Sequence, residues 1–210
     1  MKPLRPTANI TEYLEDTQYV ASTSAAIADK AESLSKGCAR EAEKVAACFE
    51  YVRDCIAHTV DIGESTVVKT AEDVLALDHG TCYTKSMLLV ALLRNLGIPS
   101  GFCYQRLCEE EGDDPHFFLH SLAAYCSDEQ GTWIRLDVRG GSKDTEAPAV
   151  TPELVSDDYV VFHPDQARGE IDYLQVLPRH PEQVVAVLEV SSNCIRMIEE
   201  DLPTVLDESA

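Results

Sequence analysis

The feature that most constrains this chain is an apolar run with helical spacing that begins directly after a cysteine. Leucines recur at three- and four-residue steps from Leu88 to Leu96, and Gly97 and Pro99 then supply a stop signal. The spacing predicts a helix that begins close to Cys82 and ends near residue 95. At a helix N-terminus, unpaired backbone N–H groups and the positive end of the dipole favour thiolate over thiol. Cys82 is therefore a candidate nucleophile, the alternative being a small buried cysteine that packs a helix end.

Length and composition fit one domain of ordinary size. With 210 residues and 45% hydrophobic content, we expect a single domain over residues 1–210, with a core at about 40–141 and a C-terminal excursion over 142–210. No segment approaches the roughly 18 apolar residues of a membrane span, and residues 1–6 lack an apolar signal segment. These features predict a cytoplasmic protein. The eight cysteines are scattered without a CxxC pair, so we expect reduced thiols.

The net charge narrows the choice of partners. Thirty-seven acidic against seventeen basic residues give a formal charge of −20, which repels phosphate backbones and anionic lipid surfaces. We expect no nucleic-acid partner and no membrane partner. The acidity is otherwise typical of a soluble surface, and it leaves the oligomeric state open.

Three helices are predicted before Cys82. An Ala-rich, charged stretch at 22–36 precedes a stop at Gly37, and apolar residues at three- and four-residue steps mark a second helix at about 40–56. Thr70-Ala-Glu-Asp73 resembles a capping box and opens a short helix that ends before Gly80. Residues 10–20 fit either a short strand or an extended arm.

The pattern changes to strands after the leucine-rich helix. Segments 101–107, 117–126 and 132–138 are rich in aromatic and β-branched residues. A charged turn at 109–115 and a hairpin turn at 127–131 separate them. Helices followed by strands predict an α+β domain with the Cys82 helix packed on an antiparallel sheet. Beyond residue 141 we expect a surface excursion with a last helical piece near 182–188.

A nucleophilic thiol needs a base, and the base needs an orienting group. His120 and Asp137 lie on neighbouring predicted strands and can supply both. Counting from a turn centred on Glu129, His120 lies nine residues before and Asp137 eight after. A register offset of one, such as a bulge, would align them. The ordinary alternatives are a hydrogen-bonded strand histidine and an aspartate that anchors a turn.

Together these segments resemble the transglutaminase-like superfamily, and in particular its bacterial branch. The motifs that carry the resemblance are Val52-Arg-Asp-Cys-Ile-Ala-His58, Ala71-Glu-Asp-Val-Leu75, His79-Gly-Thr-Cys-Tyr-Thr-Lys85, Ala91-Leu-Leu-Arg-Asn-Leu-Gly-Ile-Pro99, Gly101-Phe-Cys-Tyr-Gln-Arg-Leu107, Leu119-His-Ser-Leu122 and Trp133-Ile-Arg-Leu-Asp137. The likeness spans about residues 49–141. It implies a papain-like core, acyl-transfer chemistry and a Cys-His-Asp triad carried by Cys82, His120 and Asp137.

The chain also departs from the large animal enzymes of that family. Trp133 is the only tryptophan and lies on the predicted sheet, so the upstream indole that donates to the oxyanion has no counterpart and the second oxyanion donor is unassigned. No calcium-loop pattern is present, and the flanking domains of the crosslinking enzymes cannot fit in this length. Calcium-dependent crosslinking is therefore disfavoured.

Other constellations are weaker. His116 and His120 are separated by roughly 13 Å on a strand, too far apart to share one metal ion. Gly140-Gly141 lacks the spacing of a phosphate loop. Nothing here calls for a metal or cofactor. Polar residues at strand ends could bind substrate or make ordinary surface pairs; they are Tyr104, Gln105, Arg106 and Arg139.

The sequence thus favours a cysteine-dependent hydrolase or acyltransferase that acts on a peptide or a small amide. Cys82 would attack the amide carbonyl, His120 would serve as base and then acid, and Asp137 would orient the imidazole. We expect hydrolysis, with transamidation or amide formation as the alternative. A catalytically silent binding module of the same fold is a further hypothesis, which the intact set of three residues disfavours.

Overall fold

The computed structural model describes residues 3–109, 115–139 and 147–207. Its helices are α1 (Ala25–Ser35), α2 (Glu41–Glu50), α3 (Ala71–Leu77), α4 (Cys82–Asn95), α5 (Glu182–Val190) and α6 (Cys194–Arg196). Its strands are β1 (Arg5–Pro6), β2 (Ala57–His58), β3 (His79–Gly80), β4 (Ser100–Glu109), β5 (His116–Cys126), β6 (Trp133–Leu136), β7 (Ile171–Asp172) and β8 (Gln175–Val176). Most of the expected turn at 109–115, and Gly140-Gly141, lie outside the described residues.

Helix α4 is the centre of the fold. Every residue from Tyr83 to Arg94 is buried, and the helix packs against α1, α2 and α3 as well as strands β4 and β5. The leucines that define its spacing supply much of the apolar surface of the core. The predicted helix from Cys82 to residue 95 is confirmed.

The main sheet is antiparallel, with strand order β6-β5-β4-β7. Strands β4 and β5 pair along their whole length, from Ser100 opposite Tyr125 to Glu109 opposite His116. Helices pack on this antiparallel sheet, which confirms the predicted α+β class. Strands β4, β5 and β6 confirm the three predicted strands.

Two of the earlier helices also match their predictions. Helix α1 begins after the Ser24 cap and stops before Gly37, whose φ is 88°. Helix α3 follows Thr70, whose hydroxyl accepts from the Asp73 N–H. The second helix ends earlier than expected as an α-helix, because it continues from Glu50 as the π-helical turn Tyr51–Cys55. The region left open at 10–20 contains the 3₁₀ helix Ile10–Leu14.

The C-terminal part corrects one expectation. Helix α5 confirms the predicted piece near 182–188, but the rest is not a surface excursion. Strand β7 joins β4, and β8 pairs in parallel with β1. Val176, Val184 and Met197 are fully buried. A strand of two residues is too short to show an alternating pattern of apolar and polar residues. The sequence therefore could not predict that β7 and β8 pair with the rest of the domain.

A short parallel pair brings β2 beside β3. The Ala57 N–H donates to the Asp78 carbonyl at 2.9 Å, and the Thr59 N–H donates to the Gly80 carbonyl at 3.0 Å. His58 is thereby opposite Gly80 in the register. Since β3 ends two residues before Cys82, the pair carries His58 to the start of α4.

Within the described ranges, no helix is long and apolar enough to cross a membrane. All eight cysteines lie in this part of the chain, and none forms a disulfide.

Candidate active site

Cys82 is the first residue of α4, as predicted, and its side chain is half-buried. Thr81 occupies the N-cap position, and its N–H donates to Thr84 Oγ1 at 3.0 Å. The N–H groups of the first helical turn have no partner within the helix itself. Cys82 therefore combines a partly open thiol with the positive end of a helix dipole.

The structure brings Cys82, His120 and Asp137 together. His120 lies on β5, and its Nε2–H donates to Asp137 Oδ2 at 2.9 Å. The Cys82 side chain lies close enough to the imidazole to help raise the pKa of His120. His120 is 3% exposed and Asp137 is 0% exposed. Only the cysteine end of this cluster is partly open to solvent.

The predicted alignment of His120 and Asp137 through a bulge is wrong. Strands β5 and β6 pair without interruption from Ala123 opposite Leu136 to Cys126 opposite Trp133. Continuing this register by one residue sets Asp137 opposite residue 122, the next position on the His120 face. The two side chains are thus diagonal neighbours, which are within reach of each other across an antiparallel pair.

Asp137 is held from several sides. Its Oδ1 accepts the Arg139 N–H at 2.9 Å, and its Oδ2 accepts the Val161 N–H at 3.3 Å. Burial by itself would raise the pKa of Asp137, but the neighbouring His120 and these hydrogen bonds lower it below its usual value. Asp137 is therefore a carboxylate at neutral pH.

His120 is stabilised as an imidazolium. Burial opposes its charge, but the negative charge and hydrogen bond of Asp137, together with Cys82, raise the pKa of His120 to about 10. The Phe162 ring stands edge-on at 5.1 Å from the imidazole centroid. The protonated imidazole therefore lies between the Asp137 carboxylate and the side chain of Cys82.

The raised pKa of His120 predicts how stability depends on pH. A folded-state pKa of about 10 lies above the ordinary 6.5, so the stabilisation is fully present below pH 6.5 and is lost as pH rises through 10. Urea titrations across this range should show a steeper loss of stability in the wild type than in His120→Gln. Parallel curves for the two proteins would contradict the ion pair.

Two hydrogen bonds fix α4 against β5 on both sides of His120. Tyr83 Oη donates to the Leu119 carbonyl at 2.5 Å, and Ser86 Oγ donates to the Ser121 carbonyl at 3.4 Å. Both donors lie in the first turns of α4. They hold the thiol of Cys82 and the imidazole in a fixed relation without touching either group.

Lys85 is a buried support that the sequence reasoning missed. It is 1% exposed, and its Nζ donates to the carbonyls of Ile56 at 2.7 Å and Arg53 at 3.4 Å. Burial lowers the pKa of Lys85 to about 8. The lysine ties the turn before β2 to α4, three residues after Cys82. The sequence signal for this supporting role is a charged residue within a helix that is otherwise mostly apolar.

The other polar residues that the sequence suggested as substrate-binding candidates differ in their hydrogen-bond partners. Tyr104 hydrogen-bonds His180, Gln105 donates to the Phe162 carbonyl, and Arg106 donates to the carbonyls of Gly169 and Thr204. Arg139 donates its N–H to Asp137, while its guanidinium forms a two-pronged ion pair with Asp61, and Gln105 lies opposite His120 in the β4–β5 register.

The two histidines of the 116–120 segment also differ in solvent exposure. His116 is exposed, whereas His120 is buried. Among the described residues, no group of three His, Cys, Asp or Glu side chains is placed to hold a metal ion.

Solved structures similar to this chain include the following three, all of low sequence identity. A candidate cysteine protease from Cytophaga hutchinsonii has a TM-score of 0.50 and 21% identity, covering 62% of this chain and 42% of that one. A candidate protease from Parabacteroides distasonis gives 0.40 and 18%, with coverages of 60% and 25%. The periplasmic domain of TgpA from Pseudomonas aeruginosa gives 0.42 and 20%, with coverages of 61% and 48%. The chain thus spans less than half the length of each.

The first of these structures supports the fold alone, because its identity is low. No curated protein matches the chain. A model of the transglutaminase-like superfamily matches residues 28–138, which is more than half of the 210 residues. The matched segment includes Cys82, His120 and Asp137. On this match, and on the α+β fold that places the three side chains together, the chain belongs to the transglutaminase-like superfamily.

Proposed function

We propose that the chain is a cysteine-dependent acyl-transfer enzyme that hydrolyses an amide or peptide bond through a thioester acyl-enzyme. The observation that carries the proposal is the buried hydrogen bond of His120 to Asp137, beside the Cys82 side chain that also interacts with the imidazole. A half-buried thiol backed by a buried imidazolium and carboxylate fits a nucleophile that a substrate can reach.

The chemistry follows from the charges. The Cys82 thiolate attacks the substrate carbonyl carbon, a C–S bond forms, and the carbonyl π electrons move to oxygen. As the tetrahedral intermediate collapses, the C–N bond breaks and the leaving amine takes the proton of His120. The product of this half-reaction is a thioester on Cys82 and a neutral His120.

Deacylation reverses these roles. Neutral His120 removes a proton from water, the hydroxide oxygen attacks the thioester carbonyl, and the C–S bond breaks to release a carboxylic acid and restore the ion pair. Asp137 keeps the imidazole in one orientation through both half-reactions. Amine transfer requires a site that excludes water, and the partial exposure of Cys82 favours water as the acceptor.

The substrate we propose is a peptide or a small amide. The net charge of −20 disfavours nucleic acids and anionic membranes as partners. An amine acceptor in place of water would make the same acyl-enzyme a transamidase, so the acceptor must be tested directly.

Wild-type protein should convert members of a peptide and amide library to the acid, with little amine adduct when lysine or putrescine is added. Mass spectrometry distinguishes the two products by mass. Cys82→Ala serves as the control and should form neither. A predominance of amine adduct would replace hydrolysis by transamidation, and equal product from Cys82→Ala would remove the proposed mechanism.

A further inference from the structure

His58 is a half-buried histidine beside the start of α4 that the chemistry above does not use. It lies opposite Gly80 in the β2–β3 pair, and Gly80 is two residues before Cys82. Lys85 binds the residues just before His58, because its Nζ donates a hydrogen bond to the Ile56 carbonyl. His58 is thus attached to the nucleophile helix by backbone pairing on one side and by a buried lysine on the other.

The imidazole of His58 faces the same group of charges as the Cys82 cluster. It interacts electrostatically with Arg139, Asp61, Lys85 and His120. Arg139 in turn donates its N–H to Asp137. His58 thus interacts electrostatically with His120 and with the residue whose N–H binds Asp137.

One ring nitrogen of His58 has no assigned role. Nδ1 is buried and has no hydrogen-bond partner among the described residues. A buried polar atom without a partner costs free energy of about 1–3 kcal/mol, so in a native protein it calls for an explanation, of which a catalytic role is one. The neighbouring Thr59 shows the contrast, because its Oγ1 is satisfied by His79 Nδ1 at 3.0 Å.

His58 is neutral at physiological pH. Burial, followed by the positive charge of Arg139, lowers the pKa of His58 to about 3. A neutral imidazole carries one N–H that can donate to a developing oxyanion without adding a second positive charge beside His120. Its removal would also leave the net charge around Cys82 unchanged.

We propose that His58 is the second oxyanion donor of the site, acting with the backbone N–H of Cys82 in place of the tryptophan that this chain lacks. The inference rests on the proposed acyl-transfer function. When the thiolate attacks, the negative charge that forms on the substrate oxygen accepts one hydrogen bond from each donor. The single tryptophan, Trp133, packs on Tyr13 at a centroid distance of 4.5 Å in a separate apolar cluster.

The test separates oxyanion stabilisation from thiol reactivity. p-Nitrophenyl acetate acylates a thiol through a tetrahedral oxyanion, whereas iodoacetamide alkylates it by direct displacement at carbon with no oxyanion. His58→Phe keeps an aromatic ring and loses the N–H, His58→Gln keeps an N–H, and His116→Phe is the matched control at an exposed histidine. Both rates at Cys82 are read by peptide mass spectrometry, with thermal unfolding followed for each variant.

Acylation of Cys82 should fall about 10²-fold in His58→Phe, recover in part in His58→Gln, and stay unchanged in His116→Phe, while alkylation is unchanged in all three. If His58→Phe is acylated at the wild-type rate, the assignment of His58 as oxyanion donor is overturned, and the proposed function is not. An equal fall of acylation and alkylation would also overturn that assignment, by showing a structural role. If wild-type Cys82 forms no acetyl adduct, the proposed function itself fails, and the assignment fails with it.

Discussion

Replacing Cys82 with alanine is expected to reduce substrate turnover by at least about 10⁴-fold, because the proposed thioester forms on the Cys82 sulfur. The side chain is half-buried at the end of a helix, so its loss leaves no large cavity and the fold should persist. Turnover is measured as acid product by mass spectrometry, with thermal unfolding as the check on folding.

The matched control for this variant is Cys55→Ala. Cys55 is an exposed free thiol in the π-helical turn, so turnover should remain at the wild-type level. Full activity in Cys82→Ala, or an equal loss in Cys55→Ala, would show that the reaction does not pass through Cys82.

Replacing Asp137 with asparagine is expected to reduce turnover by about 10³-fold while leaving a measurable rate. Asparagine has nearly the same shape, but it removes the negative charge that helps to hold the pKa of His120 at about 10. The imidazole then loses its orientation and part of its affinity for a proton, although the nucleophile remains. Steady-state kinetics across pH should show that the high-pH limit of activity moves to lower pH.

A comparison variant distinguishes this loss from a general weakening of the fold. Asp158→Asn changes another buried aspartate of the same sheet edge, one that pairs with Arg135 at 2.9 Å and does not touch His120. It should lower stability without shifting the pH limit. Wild-type turnover in Asp137→Asn, or the same pH shift in Asp158→Asn, would contradict an orienting role for Asp137.

The parts of the fold that local spacing controls could be predicted from the sequence. The leucine period located α4 and therefore Cys82, and the Thr70 cap located α3. The hairpin turn set β5 beside β6, so His120 and Asp137 were expected on adjacent strands. All of these depend on neighbours within one turn of helix or one hairpin.

The parts that depend on distant backbone pairing could not be predicted. Asp137 is fixed by residues of the C-terminal segment, since its own N–H donates to the Tyr159 carbonyl at 2.8 Å and its Oδ2 accepts from Val161. This pairing joins positions more than twenty residues apart in the sequence. Such contacts leave no periodic pattern in the sequence. The sequence therefore predicted a bulge that aligns His120 with Asp137, where the structure has a diagonal contact between the two side chains.

His58 illustrates the same limit for the site. The sequence shows His58 within a family-like motif but indicates no role for it, because β2 and β3 are two residues long and join segments separated by a loop and a helix. The chemical type of the residue was visible in the sequence, but its unpaired Nδ1 was not. Burial and missing partners are three-dimensional properties.

Limited alkylation tests whether Cys82 is a nucleophile that His120 activates. The native protein is treated with a small amount of iodoacetamide from about pH 5 to about pH 9, and all eight thiols are quantified by peptide mapping. Cys55 is the internal reference, because it is more exposed than Cys82. We predict that Cys82 is labelled first, already at pH values where an ordinary thiol is protonated. Labelling of Cys82 and Cys55 with the same pH dependence, and no preference for Cys82, would show that His120 does not activate Cys82.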